Sequence, residues 1–141
     1  MVYVGDADRQ FYALDLANGK PRWSFASTIG FTAAAAVGEG RVFVGDSDGV
    51  FYCLRASDGQ LVWKHETAAE INSSPNFYQA SVLVGSQDGS LYRFATADGT
   101  VIWKYTIEAS GGIQGSPTLA EARAFVCGCD GKLHVIDVAE G

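Results

Sequence analysis

The stretch Ala13-Leu-Asp-Leu-Ala-Asn-Gly19-Lys-Pro-Arg-Trp23 returns as Cys53-Leu-Arg-Ala-Ser-Asp-Gly59-Gln-Leu-Val-Trp63. It returns again as Arg93-Phe-Ala-Thr-Ala-Asp-Gly99-Thr-Val-Ile-Trp103. The three tryptophans stand 40 residues apart. A fixed period of this size marks an array of one supersecondary unit.

Working outward from the tryptophans brings the rest of the chain into register. Val2-Tyr-Val-Gly5 aligns with Val42-Phe-Val-Gly45, Val82-Leu-Val-Gly85 and, more loosely, Ala124-Phe-Val-Cys127. Asp8, Asp48, Asp88 and Asp130 share one position, at spacings of 40, 40 and 42. Gly49, Gly89 and Gly131 follow the last three, and Arg9 stands in the first. The two extra residues fall within 107–113, and Gly141 matches Gly19, Gly59 and Gly99.

The unit reads as strands. Its apolar pieces are short, rich in Val, Tyr, Phe, Leu and Trp, and bounded by Gly, Asp and Ser. Asp48-Gly49 and Asp88-Gly89 sit between two such pieces, where glycine supplies the positive φ of a tight hairpin. Asp58-Gly59 and Asp98-Gly99 mark a second hairpin. Each unit is expected to give four strands: an inner one, such as 73–77 in the second unit, then 41–45, 50–55 and 60–65. Apolar residues occupy both faces of these strands, since Val42 and Val44 alternate with Phe43, and such a sheet must be covered on both sides. A ring of stacked four-stranded sheets does this. The expected fold class is therefore all-β, a partial β-propeller forming a single segment, 1–141. It holds about 3.5 repeats in four antiparallel blades near 1–27, 28–67, 68–108 and 109–141, the two terminal ones three-stranded, with fourteen strands in all. Trp23, Trp63 and Trp103 become large fillers between blades, each with an indole N–H able to reach a backbone carbonyl. Gly19, Gly59 and Gly99 join them as structural positions.

Composition agrees with a globular domain: 141 residues, 48% hydrophobic, 18% charged. A net charge of −6 and a pI near 4.7 disfavour nucleic acid and anionic membrane surfaces as partners. No apolar run reaches the length of a membrane span, and the first residues lack the pattern of a signal peptide. Three cysteines, an odd number, do not suggest a disulfide framework.

The phrase from Ala13 to Trp23, with the preceding Val-Tyr-Val-Gly and the Ser74-Pro75 and Ser116-Pro117 elements, resembles the tryptophan docking motif of quinoprotein-type propellers. These are the proteins built of pyrroloquinoline quinone (PQQ) enzyme repeats. The resemblance covers the whole chain, although Cys53 and Arg93 replace the motif's first alanine. It implies one of two kinds of protein. Some members are dehydrogenases that bind PQQ and calcium. Others bind no quinone, such as the barrel-assembly lipoprotein of the bacterial outer membrane and sensor-like domains. The motif holds blades together in both kinds, so it does not itself imply the cofactor. Family members are mostly periplasmic or exported, and localisation is left open.

No catalytic, cofactor-binding or metal-binding set is expected. The catalytic members resembled carry adjacent cysteines, whereas Cys127 and Cys129 are separated by one glycine. Two thiols at i and i+2 share one strand face, but no further ligand follows at zinc spacing, so both are expected to be buried small side chains. Asp46-Ser-Asp48-Gly49 resembles the start of a calcium loop but lacks its closing glutamate. The recurring aspartates are better read as turn residues whose carboxylates accept backbone N–H bonds, which also removes Asp6 and Asp8 as an acid–base pair. His134 replaces the repeat's tyrosine and is expected to pack, and His65 to be half-exposed on an outer strand. Function on a repeat scaffold sits where repetition is relaxed. The candidate channel- or ligand-facing residues are Phe31, Thr32, Asn72, Ser73 and Gln114, with Phe31, Asn72 and Gln114 in equivalent places.

An open arc exposes apolar blade faces. Either a longer chain or a second copy closes the ring, two copies making eight blades, and a lone four-bladed ring is the third option. The expected function is a non-catalytic scaffold or a surface for a protein, peptide or small polar ligand. A fragment of a PQQ-dependent dehydrogenase and a sensor domain of a signalling protein are the alternatives.

Overall fold

The computed structural model describes residues 1–107 and 111–141. The two-residue insertion expected within 107–113 therefore falls partly on residues 108–110, which lie outside the described residues. Fourteen strands and no helix are present among the described residues. The first blade holds β1 (Val2–Gly5), β2 (Gln10–Leu14) and β3 (Pro21–Ala26). The second holds β4 (Ala36–Gly38), β5 (Arg41–Gly45), β6 (Val50–Arg55) and β7 (Leu61–Glu66). The third holds β8 (Asn76–Tyr78), β9 (Ser81–Gly85), β10 (Ser90–Ala95) and β11 (Val101–Thr106). The fourth holds β12 (Thr118–Ala120), β13 (Arg123–Cys127) and β14 (Leu133–Asp137). Each is an antiparallel meander in chain order. Among the described residues the first blade has no inner strand and the fourth no outer one.

The hairpins form where the sequence provides positive φ. Gly49 and Gly89 adopt φ of 87° and 84°, and Arg9 takes φ 75° in the first blade without the glycine. A non-glycine residue there is uncommon. Each outer strand carries one extra residue before its tryptophan: Ala13 faces Trp23 while Leu14 faces Pro21, Cys53 faces Trp63 while Leu54 faces Leu61, and Arg93 faces Trp103 while Phe94 faces Val101. Such a bulge bends the strand and increases its twist.

The inner strand of the third blade is Asn76–Tyr78, later and shorter than the expected 73–77. Pro75 has no N–H to donate to a ladder, and the hydroxyl of Ser73 is already spent on Gly85 N–H at 3.0 Å.

Cores form between blades. Phe11, Val42, Val44, Val50, Tyr52 and Leu54 join the first and second. Phe43, Phe51, Cys53, Trp63, Val82, Val84 and Phe94 join the second and third. Leu83, Leu91, Ala124, Val126 and Ile136 join the third and fourth. Each tryptophan reaches into the next blade. Trp23 Nε1 donates to Ala56 O at 3.0 Å, Trp63 Nε1 to Thr96 O at 3.1 Å and Trp103 Nε1 to Val138 O at 2.8 Å. The ring lies on a glycine three residues beyond that carbonyl. A Cβ at Gly59 would stand 2.5 Å from Trp23, one at Gly99 2.7 Å from Trp63 and one at Gly141 2.9 Å from Trp103.

Candidate functional site

The inner loops, which lead into β4, β8 and β12, hold the candidate residues. In each loop one apolar side chain turns back onto the preceding blade. Phe31 N–H donates to Asp6 O, Ile71 N–H to Asp46 O and Ile113 N–H to Ser86 O, at 2.8, 3.1 and 2.9 Å. Their side chains press on Gly5, Gly45 and Gly85, where a Cβ would meet them at 2.3, 2.1 and 2.4 Å. These three residues are equivalent and buried. The expected equivalence of Phe31 with Asn72 and Gln114 is therefore one residue out of register. Phe31 is 4% exposed and packs edge-on against Phe11 and Tyr52. It faces a core, not a channel, because Gly5 leaves the hole that it fills. Ser73 is also buried.

The equivalent accessible residues are Thr32, Asn72 and Gln114. Thr32 and Gln114 are exposed, and Asn72 is half-buried. Thr32 Oγ1 donates to Asn72 Oδ1 at 2.6 Å, and Asn72 Nδ2 donates to Glu70 Oε2 at 3.1 Å. A second row runs beside them: Ala34 N–H donates to Ser74 Oγ at 3.2 Å and Ser74 N–H to Ser116 Oγ at 2.9 Å. Hydroxyls from one blade thus cap the backbone of the blade before it. Glu70 and Ser116 were not among the candidate ligand-facing residues, Ser116 having entered only through its Ser-Pro element. Their signals differ: Glu70 directly precedes Ile71, while Ser116 stands three residues beyond Ile113, as Ser74 does beyond Ile71.

The repeated aspartates serve turns, but the residue that does so changes along the chain. In the first two blades it is Asp6 and Asp46. Asp6 Oδ1 accepts from Asp8 and Gln10 N–H, each at 2.8 Å, and Asp46 Oδ1 accepts from Asp48 and Val50 N–H at 3.0 and 2.8 Å. In the last two it is the second aspartate: Asp88 accepts from Ser90 N–H at 2.9 Å and Asp130 from Lys132 N–H at 3.1 Å. The remaining carboxylate oxygen takes a phenol. Tyr52 donates to Asp46 at 2.8 Å and Tyr92 to Asp88 at 2.6 Å. Burial, and then the hydrogen bond to Asp46, raise the pKa of Tyr52 well above its ordinary value. Burial alone would raise the pKa of Asp88. Bonds from Tyr92, Ala68 N–H and Ser90 outweigh it and hold the carboxyl below the usual range.

His134 replaces the tyrosine and keeps its partner. Its Nε2 lies 3.1 Å from Asp130 Oδ2, and its Nδ1 lies 3.1 Å from Tyr105 Oη of the third blade. His65 occupies the place of Tyr105 one blade earlier and packs on Phe94, with centroids 4.9 Å apart.

Cys127 and Cys129 are exposed free thiols, not the buried side chains expected. Cys127 stands where Gly5, Gly45 and Gly85 stand, but no apolar loop residue among the described residues covers its face, and the thiol is exposed. Cys53 is buried, and burial pushes its thiol up to about 11 against the opposing pull of Arg41, which leaves it protonated and unreactive.

The family resemblance raises the question of a quinone and calcium. Calcium needs several oxygen ligands converging on one point. Asp46, Asp88 and Asp130 each spend their oxygens on turn N–H groups and a phenol or imidazole. No group of three or more His, Cys, Asp or Glu could hold a metal among the described residues. These three aspartates therefore present no converging set of free oxygens for calcium. A surface cavity of about 300 Å³ opens on the β2–β3 hairpin, lined by Asp15, Asn18, Lys20, Pro21 and Arg22. Two of its charges pair across it, with Arg22 Nη2 2.6 Å from Asp15 Oδ2.

Fold and site together define a class: an arc of β-propeller blades built from a PQQ-like repeat of forty residues. The chain belongs to the family of the outer membrane protein assembly factor BamB, whose family model matches residues 7–141. The crystal structure of BamB from Moraxella catarrhalis superposes with a TM-score of 0.88 at 24% identity, over 99% of this chain and 43% of that one. The chain thus spans less than half the length of that relative. Two computationally designed proteins share the fold. Ika8 matches with a TM-score of 0.82 and 20% identity, over 96% of this chain and 42% of that one. Ika4 matches with a TM-score of 0.83 and 16% identity, over 96% of this chain and 84% of that one. No curated protein matches the sequence.

Proposed function

We propose that this chain is a non-catalytic protein-interaction module whose recognition surface is the inner loop rim, centred on Thr32, Asn72 and Gln114 with Glu70 and Ser116. The observation that carries this reading is the relaxed repetition of that rim. The buried residues one position earlier, Phe31, Ile71 and Ile113, are apolar in all three loops. Their accessible neighbours differ in each, as a surface fitted to one partner requires. Rim side chains are pre-organised by the Thr32–Asn72–Glu70 chain of hydrogen bonds, which lowers the ordering cost of binding. The family's description as an assembly factor for outer membrane proteins supports a partner that is itself a protein, in the class of outer membrane β-barrel precursors. No cofactor is part of the proposal.

The test uses an extended peptide from an outer membrane β-barrel strand. Its binding is expected to weaken at least tenfold in the Thr32→Ala/Asn72→Ala/Gln114→Ala variant, with the melting temperature unchanged. Titration with PQQ and calcium is expected to leave absorbance and melting temperature unaltered. Equal peptide affinity in both proteins, or a quinone-dependent stabilisation, would overturn the reading.

A further inference from the structure

The surface cavity of about 300 Å³ on the β2–β3 hairpin lies where the repeat is broken. Asn18, Lys20 and Arg22 line it, and the second blade has Asp58, Gln60 and Val62 in their places. The third has Asp98, Thr100 and Ile102. A neutral amide thus replaces a carboxylate, and two cations replace uncharged side chains. Blade docking does not demand the change. Arg55 and Gln60 stand where the first hairpin has Asp15 and Lys20, as do Ala95 and Thr100, and the glycines of both hairpins still receive an indole. Nor does the accessibility of these positions depend on an uncovered blade. The equivalent side chains on the second and third hairpins stay exposed, although a blade packs on each of them.

Inside the cavity the acceptors are engaged and donors are left over. Asp15 Oδ1 accepts from Ala17 N–H at 2.9 Å, and Asp15 Oδ2 accepts from Arg22 Nε and Nη2 at 3.2 and 2.6 Å. The bond from Arg22, ahead of that from Ala17, holds the Asp15 carboxyl below its usual range. Asp15 therefore stays charged and anchors the guanidinium by one edge. The other edge, Nη1 with the second N–H of Nη2, presents two parallel donors. Asn18 Oδ1 accepts from Lys20 N–H at 2.9 Å, which leaves the Nδ2 donors of Asn18. Lys20 Nζ enters no ion pair among the described residues. We propose that this cavity binds a carboxylate, gripped by the free edge of Arg22 and by Lys20 Nζ, with Asn18 Nδ2 as a neutral donor. A planar group with two oxygens matches the guanidinium fork. Two cations and one carboxylate leave a single positive charge, which one carboxylate neutralises and a phosphate dianion exceeds. The ligand is an acidic side chain or a chain end of a polypeptide. The hairpin lies at the opposite end of β3 from the loop that bears Thr32, and the site does not depend on the function proposed for the inner rim.

The probes are N-acetylglycine, with a chain-terminal carboxylate, and N-acetyl-glutamate methylamide, with a side-chain one. Each is titrated into the isotope-labelled protein at constant low ionic strength and followed by amide and Arg22 Nε–H chemical shifts. Saturable shifts are expected at residues 15–23 with at least one probe, and the tighter of the two identifies the source. The dissociation constant should be on the order of millimolar, as suits ion pairs open to solvent, and should rise with added salt. N-acetyl-glutamine methylamide, of the same shape without the charge, should give no saturation. Arg22→Val and Lys20→Gln copy the second blade, so the melting temperature should stay within a few degrees. The first should abolish saturation, and the second should weaken binding at least threefold. Lys64→Gln, at an exposed lysine of β7, should change nothing. Absence of saturable shifts at these residues, equal binding of the glutamine analogue, tighter binding of inorganic phosphate, or an unchanged response in Arg22→Val would each overturn the proposal.

Discussion

A single side chain in this array is best understood by asking what its equivalents do. His65, Phe25 and Tyr105 hold one position on three outer strands, and each packs on the next blade: Phe25 on Tyr52, His65 on Tyr92 and Phe94, Tyr105 on His134. The position asks for an aromatic ring, and a histidine meets that demand only when neutral. Burial, followed by the charge of Lys104, lowers the pKa of His65, with Asp88 and Glu66 pulling weakly the other way. The sign of the consequence is fixed. Near pH 6.5 the unfolded chain holds more protons at this site than the folded one, so stability from His65 is complete above pH 6.5 and falls as pH drops through the lower folded value. We expect the urea midpoint to decline between pH 7 and 5. His65→Phe, which copies the first blade, should flatten that decline while leaving the midpoint at pH 7 nearly unchanged. A decline of equal slope in both proteins would assign the pH dependence elsewhere.

At the level of strands and turns, the seams between blades decide how the array holds together. Trp63 illustrates the sum: it is the most buried of the three, contacts Phe43, Phe51 and Phe94, and donates to Thr96 O. Trp63→Phe keeps much of the packing but leaves the Thr96 carbonyl without its donor and opens a gap beside Gly99. The lost hydrogen bond costs about 1 kcal/mol and the gap a further ~1–2 kcal/mol. A thermal melt should therefore show a loss of several degrees, and Trp23→Phe, at a more open seam, should lose less. These seams were legible in the sequence because tryptophan, glycine and aspartate recur at fixed offsets, each with a separate physical reason to be irreplaceable. The inner loops were not legible to the same degree. Phe31, Ile71 and Ile113 share only the property of filling a glycine hole, and nothing but spacing links them. A one-residue slip therefore put Phe31 among the accessible residues and left Ile71 and Ile113 out. The exposure of Cys127 and Cys129 was hidden for a related reason. It depends on what covers the last blade, which no local pattern encodes.

For the whole molecule, the two outward faces of the arc are its least satisfied features. Leu133 and Val135 on the fourth blade are 62% and 51% exposed, while Phe51, Leu91 and Cys53 at the same positions are 0% exposed. On the first blade Val2 and Val4 break the repeat in the same way. Contiguous apolar surface of this kind marks an interface, and the two faces are complementary halves of one seam, since the first three blades join through these very positions. Cys127 fits such a seam. A glycine is required there only when the following blade contributes a residue like Ile113, and residues 1–27 contribute none. For the 141-residue polypeptide in isolation we therefore expect head-to-tail closure by two copies into eight blades, with two identical seams related by a two-fold axis. Lacking a tryptophan at either seam, the assembly should be weaker than the internal joints and should respond to concentration. Sedimentation at micromolar concentration should show a species of twice 15.0 kDa. Val135→Asp should shift it to the monomer while Val62→Asp, on the exposed outer rim, should not. A monodisperse, cooperatively folding monomer at about 100 µM would refute closure and leave the two faces to other partners.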